Sequence, residues 1–246
     1  MIIVTLILLW ISAFIDPGVQ MANTYESKPM PLYAIMKMVT GTNVFAGLIF
    51  TFLVLIFVLF FLVNFNTSVF FLGERTFLPA ILYVLFSALL PLLQVHNPVL
   101  PATVFLMLAL KRIMESYRKP GTVFNFFDAA VFISTGSLFY ANCIWFGVLV
   151  FIGIVLLRSG NVIEIINSLI GFVVPYVLLF GIYYVLGKDI EILVEDIREN
   201  LFTALPETSF TRIEIVALIF TGLMILVSMV FLLRQLHTRK IKSRKT

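Results

Sequence analysis

Cysteine is almost missing from this chain: Cys143 is the single one in 246 residues, so neither an intrachain disulfide nor a multi-cysteine metal cage can be built. Histidine is nearly as scarce. His96 and His237 are the two present, one in a hairpin tip and one in a basic tail, which argues against a multi-histidine iron or zinc centre. Lys, Arg, Asp and Glu together make up only 12% of the residues, about half the share of a soluble domain. A GxxxxGK[ST] phosphate loop, a GxGxxG fingerprint and a CxxC pair are all lacking, which argues against nucleotide-driven transport by this chain alone. No metal and no cofactor is expected.

What is present is apolar: 61% of the chain is hydrophobic, with 26 phenylalanines and eight tyrosines. That composition predicts an all-α, polytopic transmembrane bundle in which aromatic rings meet lipid and its interfaces. About eight spans are expected, at Ile2–Ile15, Val44–Val63, Phe77–Val95, Pro98–Leu110, Thr122–Tyr140, Asn142–Leu157, Ile165–Leu186 and Ile213–Leu233. The whole chain reads as one membrane domain ending in a basic tail over 234–246. The first span covers only about 21 Å of a roughly 30 Å hydrocarbon layer. It is read as a retained helix rather than a signal peptide, since no basic region precedes it and Phe14-Ile15-Asp16-Pro17 is a poor cleavage site. Pro98–Leu110 is also short, and Pro79 and Pro91 are expected to kink the span that holds them.

Two apolar hairpins, Phe77–Leu110 and Thr122–Leu157, turn on His96-Asn97-Pro98 and Tyr140-Ala141-Asn142 and are joined by the basic stretch from Lys111 to Gly121. With both ends cytoplasmic, Arg75, Lys111, Arg112, Arg118, Lys119, Arg158 and six tail residues fall inside, twelve of the 17 Lys and Arg. The bias supports that orientation. The net charge of +4 therefore orients the chain in a bilayer and implies no nucleic-acid partner. Two outer segments follow. Pro31–Val39 is expected as a short interfacial helix, and Lys188–Arg212 as an amphipathic helix whose apolar positions Ile190, Leu193, Val194, Ile197, Leu201 and Leu205 recur at helical spacing.

Few residues offer chemistry. Asp128 lies deepest within a span, where a charge is costly and marks a candidate site. Asn125, Asp128, Thr135 and Asn142 share one helix face, and Tyr83, Ser87 and Gln94 share another. Two such stripes from neighbouring hairpins would line a wet, substrate-binding recess below the outer surface. The plainer reading is structural: Asp128 stands near its helix start, within reach of Lys111, Arg112 or Arg118, and the hydroxyls and amides serve as interhelical glue. Asp16, at the outer end of the first span, is the candidate catalytic base, or an ordinary turn residue before Pro17-Gly18.

Met30-Pro31-Leu32-Tyr33, Glu74-Arg75-Thr76-Phe77-Leu78-Pro79-Ala80 with Tyr83, Asn97-Pro98, Phe127-Asp128-Ala129 and Ser137-Leu138-Phe139-Tyr140 resemble a family of bacterial multi-spanning membrane proteins known as a domain of unknown function. The arrangement of a first span, an outer loop opening on an acidic residue, and hairpins of short spans is similar to that of type C glycosyltransferases, with Asp16 in the acidic position. That likeness implies handling of a lipid-linked saccharide or similar polyprenyl substrate in envelope biogenesis, and a glycosyltransferase-like activity. The alternatives are a non-catalytic envelope assembly partner that binds other membrane proteins, and a small transporter.

Overall fold

Helices account for all the regular structure seen. A computed structural model describes residues 7, 10–11, 28–40, 43–69, 77–89, 96–118, 124–158, 162–202, 215–216, 218–228 and 230. The expected first span and basic tail, with Asp16, Gln94 and Pro91, lie wholly or mainly outside them. The elements are α1 (Pro31–Thr40), α2 (Val44–Val69), α3 (Leu78–Leu89), α4 (Val99–Arg118), α5 (Phe124–Ser137), a 3-10 helix (Ala141–Gly147), α6 (Val148–Arg158), α7 (Val162–Val185) and α8 (Ile190–Phe202). Among the described residues two stretches, Phe45–Phe65 and Val162–Val185, are long and apolar enough to cross a membrane. The chain divides into Met1–Pro206 and a separate unit, Glu207–Thr246, whose Leu218–Ser228 is a shorter apolar helix.

Local chemistry sets the boundaries. Asn43 opens α2, its Oδ1 accepting from the amide of Phe45 at 3.0 Å, and Asn97 opens α4 in the same way through Leu100 at 3.0 Å. Pro31 and Pro79 occupy first turns, where a missing amide proton costs nothing. Pro79 is thus a starter rather than a kink. Gly187 closes α7 at φ 64°, the left-handed geometry that lets the Lys188 amide reach the Tyr183 carbonyl at 3.0 Å.

Three boundaries differ from the sequence reading. The basic stretch after Leu110 is helical through Arg118: Ile113 and Ser116 remain buried there, while Glu115 pairs with Arg112 at 3.3 Å and Lys111 at 4.0 Å. Charges on the outer side of a half-buried helix had disguised its continuation. The descending half of the second hairpin begins as a 3-10 helix before becoming α-helical at Val148. Its tighter winding follows from the extended Tyr140, whose carbonyl takes the Cys143 amide at 2.9 Å. Finally, α7 starts at Val162, so that Glu164 lies within its first turn, 3% exposed.

Packing alternates up and down. The α4 and α5 hairpin is antiparallel, with Phe105 stacked on Phe139 at one end and Arg112 on Asp128 at the other. Helix α7 runs parallel to α5, Gly171 meeting Phe127 and Ala130, and Tyr176 meeting Ser137. The centre is filled by Ala109, Ile113, Phe126, Ala129, Ile133, Val150 and Ile154. The outward sides are apolar too: Phe45, Ile49, Leu53, Phe57 and Phe60 on α2, and Ile166, Leu169, Ile170, Val173 and Val177 on α7, are all exposed.

Candidate functional site

At one end of the bundle four elements distant in sequence meet. Helix α1 lies against the tips of both hairpins. Its Leu32 amide donates to the Leu138 carbonyl at 3.1 Å, and its Tyr33 hydroxyl donates to the His96 carbonyl at 3.2 Å. The His96 ring stands between two hydroxyls, Nδ1 at 3.4 Å from Tyr33 and Nε2 at 3.4 Å from Thr40. It rests on Gly47 and near Phe50 of α2. Helix α8 completes this cap: Leu193 packs with Leu138 and Leu179, joined by Leu32, Tyr176, Phe180, Tyr183 and Ile197.

A polar clasp fastens the two surface helices together. The side chain of Asn200, 5% exposed, accepts from the Lys28 amide at 3.3 Å and donates to the Lys28 carbonyl at 2.8 Å. One amide thus satisfies both backbone groups of a single residue. The Lys28 ammonium lies 2.7 Å from Asp196 and 3.2 Å from Glu199, and these hydrogen bonds, that to Asp196 first, raise its pKa above the ordinary 10.5.

The opposite end is basic. Arg112 reaches Asp128 through Nε at 3.4 Å, and Lys111 sits over the Phe61 ring at 5.9 Å. Asp128 therefore meets one of the three basic residues that its closeness to the basic stretch put within reach. A double-mutant cycle on Arg112→Met and Asp128→Asn should show a coupling of about 0.5–1 kcal/mol in thermal melts of the solubilised protein. Strictly additive losses would sink the pairing.

The remaining stripe residues divide between two places. On α5, buried Asn125 sits near the helix start, Thr135 bonds the Val131 carbonyl at 2.8 Å, and beyond it Asn142 donates to the Tyr140 hydroxyl at 3.3 Å. On α3, Ser87 bonds the Val84 carbonyl at 2.9 Å, and Tyr83 packs into a cluster of Leu55, Leu59, Ala80 and Val84. Helix α3 packs on α2, whereas α5 lies between α4 and α7. The Ser87 and Thr135 hydroxyls thus each donate within their own helix turn.

Sequence reasoning missed the residues that join the cap and the centre. Ser134 donates to the Phe172 carbonyl at 2.7 Å, and Ser137 pairs with the Tyr176 hydroxyl at 2.7 Å. The available signal was small residues at helical spacing, Ala130, Ser134 and Ser137 facing Ser168, Gly171 and Pro175. His96, read as a hairpin tip, is also the peg on which α1 rests.

That peg is pH-sensitive. Burial lowers the His96 pKa below 6.5, and the positive charge of Lys37 on α1 adds to the effect against an opposing backbone hydrogen bond. The unfolded chain then binds the proton more readily than the folded one. The contribution is complete above 6.5 and is lost as pH falls from there through the lowered folded value. Amide exchange in α1, corrected for intrinsic rates, should quicken as pH falls below about 6.5, and His96→Gln should flatten the response.

Comparison of the chain with protein-family models, with curated proteins and with solved structures finds no match.

Proposed function

We propose that this is a multi-pass protein of the bacterial inner membrane, with about eight spans and both ends cytoplasmic, that acts as a non-catalytic assembly partner in the cell envelope. Two long apolar helices and broad outward apolar faces support the membrane setting. The alternation of helix directions supports the orientation: the Lys111 and Arg112 end stands opposite the end capped by α1 and α8. Assembly is favoured over transport because aliphatic and aromatic side chains fill the space between the hairpin helices, where Phe126, Ala129, Ile133, Val150 and Ile154 have no exposure.

The observation that carries the reading is the two-sided character of α8. Leu193 and Asn200 hold it to the bundle, while Glu191, Ile192, Val194 and Glu195 face away. An apolar pair flanked by carboxylates suits a partner with a basic, partly apolar surface. A photo-crosslinking residue placed at Val194 in native membranes should give one discrete adduct that purifies in fixed stoichiometry, and one placed at Leu193 should not. Only self-adducts or lipid adducts from Ile192, Val194 and Glu195 would end the assembly reading.

A second reading, handling of a lipid-linked saccharide, draws on one observation. Helix α1 lies over the hairpin tips as a surface helix, the order shared with type C glycosyltransferases. Its base would be Asp16, and full complementation of a deletion by Asp16→Asn would remove that residue from catalysis.

A further inference from the structure

Trp10 and Tyr83 each carry a polar group into an apolar cluster. Both pack in the cluster formed by Leu55, Leu59, Ala80 and Val84 with Phe52, Ile56 and Val63. Trp10 is 0% exposed and its ring lies 5.4 Å from that of Phe52. The Trp10 Nε1 and the Tyr83 hydroxyl are each buried without a hydrogen-bond partner among the described residues. Buried indole and phenol groups usually find an acceptor, and leaving one without costs more than a typical hydrogen bond gains.

The cluster itself offers no acceptor. Its other side chains are hydrocarbon, and main-chain carbonyls within α2 and α3 are engaged in their own helices. In a bilayer, water is scarce as a substitute. Nor does any charged side chain belong to the cluster, so a phosphate or carboxylate brought there would lose its hydration without compensation. The missing partner is thus a neutral oxygen carried on an apolar body. Tyr83 as a whole is only partly buried although its hydroxyl is covered, so such a molecule approaches along the flank of α3 and reaches the hydroxyl when the side chains over it shift.

We propose that the α2 and α3 cluster is a binding site for a neutral, carbonyl-bearing lipid, whose carbonyl oxygen accepts from the Tyr83 hydroxyl and the Trp10 indole. The acyl or prenyl part of the ligand would lie along the half-buried flank of α3 that Tyr83 shares with Pro79 and Phe86. An ester lipid and a quinone share this carbonyl chemistry. The site is independent of the assembly reading, since it uses neither α1 nor α8.

Thermal melts of the purified full chain test it with three probes: dioleoylglycerol, a decyl-benzoquinone, and hexadecane, which has no acceptor. A carbonyl-bearing probe should raise Tm by about 5 °C at a hundredfold excess over its Kd, and hexadecane should not. Response to dioleoylglycerol alone names an ester lipid; response to the quinone alone names a ketone; response to both supports the shared chemistry. Tyr83→Phe keeps the ring and should lose most of the shift, with Trp10→Phe as the second variant. An equal response to hexadecane, no response to either carbonyl probe, or an undiminished response in both variants would overturn the proposal.

Discussion

Gly171→Leu is expected to abolish the folded, monodisperse protein, and Gly171→Ala to lower its melting temperature. A Cβ at this position of α7 would sit 2.7 Å from the Phe127 carbonyl oxygen and 3.0 Å from the Ala130 Cβ. The first of these is backbone and cannot rotate away, so α5 and α7 must move apart. Separation would stretch the bond from Ser134 to the Phe172 carbonyl and the contact of Ser137 with Tyr176, both 2.7 Å. Overpacking of this kind costs about 1–3 kcal/mol, or roughly 2–12 °C in a chain of this size. Gly181 is the internal control. It has nothing within 4 Å of an added Cβ, so Gly181→Ala should leave stability unchanged or raise it by up to about 1 kcal/mol through helix propensity. Melts of the two alanine variants side by side provide the test, and equal behaviour would refute close contact between α5 and α7.

Asn200→Ala is expected to release the segment before α1 from α8 without unfolding the centre. The side chain is buried and bonds both the amide and the carbonyl of Lys28. Its loss leaves those two backbone groups without their partner, a cost of about 1–3 kcal/mol. Lys28→Ala removes only the ammonium, which is well exposed and screened by solvent, so its effect should be clearly smaller. Limited proteolysis should find new cleavage near residues 28–30 in the Asn200 variant, with α5 and α7 still protected. The opposite ranking would mean that the ion pair, rather than the amide, closes the clasp. Under the assembly reading, the same variant should also weaken partner crosslinking from Val194, because a loosened α8 no longer presents a fixed face.

Legibility from sequence followed the range of the interaction. The surface helices at Pro31 and Ile190 were readable because their apolar residues recur every three or four positions. The partner of Asp128 was readable because a carboxylate near a helix start faces the preceding basic stretch. The end of α4 was hidden, since Lys111 and Arg112 mimic a loop when Ile113 and Ser116, the buried positions between charges, are not known to be buried. The clasp was beyond reach for a different reason. Lys28 and Asn200 are 172 positions apart, and no local pattern marks a single asparagine as the reader of a distant backbone. His96 fell between these cases: its place in a hairpin tip was plain, but its two hydroxyl neighbours come from another helix.

That same separation of 172 positions has a meaning in time. At ordinary rates of synthesis, the ribosome needs roughly 9–34 s to travel from Lys28 to Asn200. Late in that interval, once His96 and Leu138 have been made, α1 has its hairpin-tip contacts while the segment ahead of it still lacks its fastener. Closure therefore reports that the intervening helices have been made, and a chain arrested before Asn200 would carry an open cap for quality-control proteases to find.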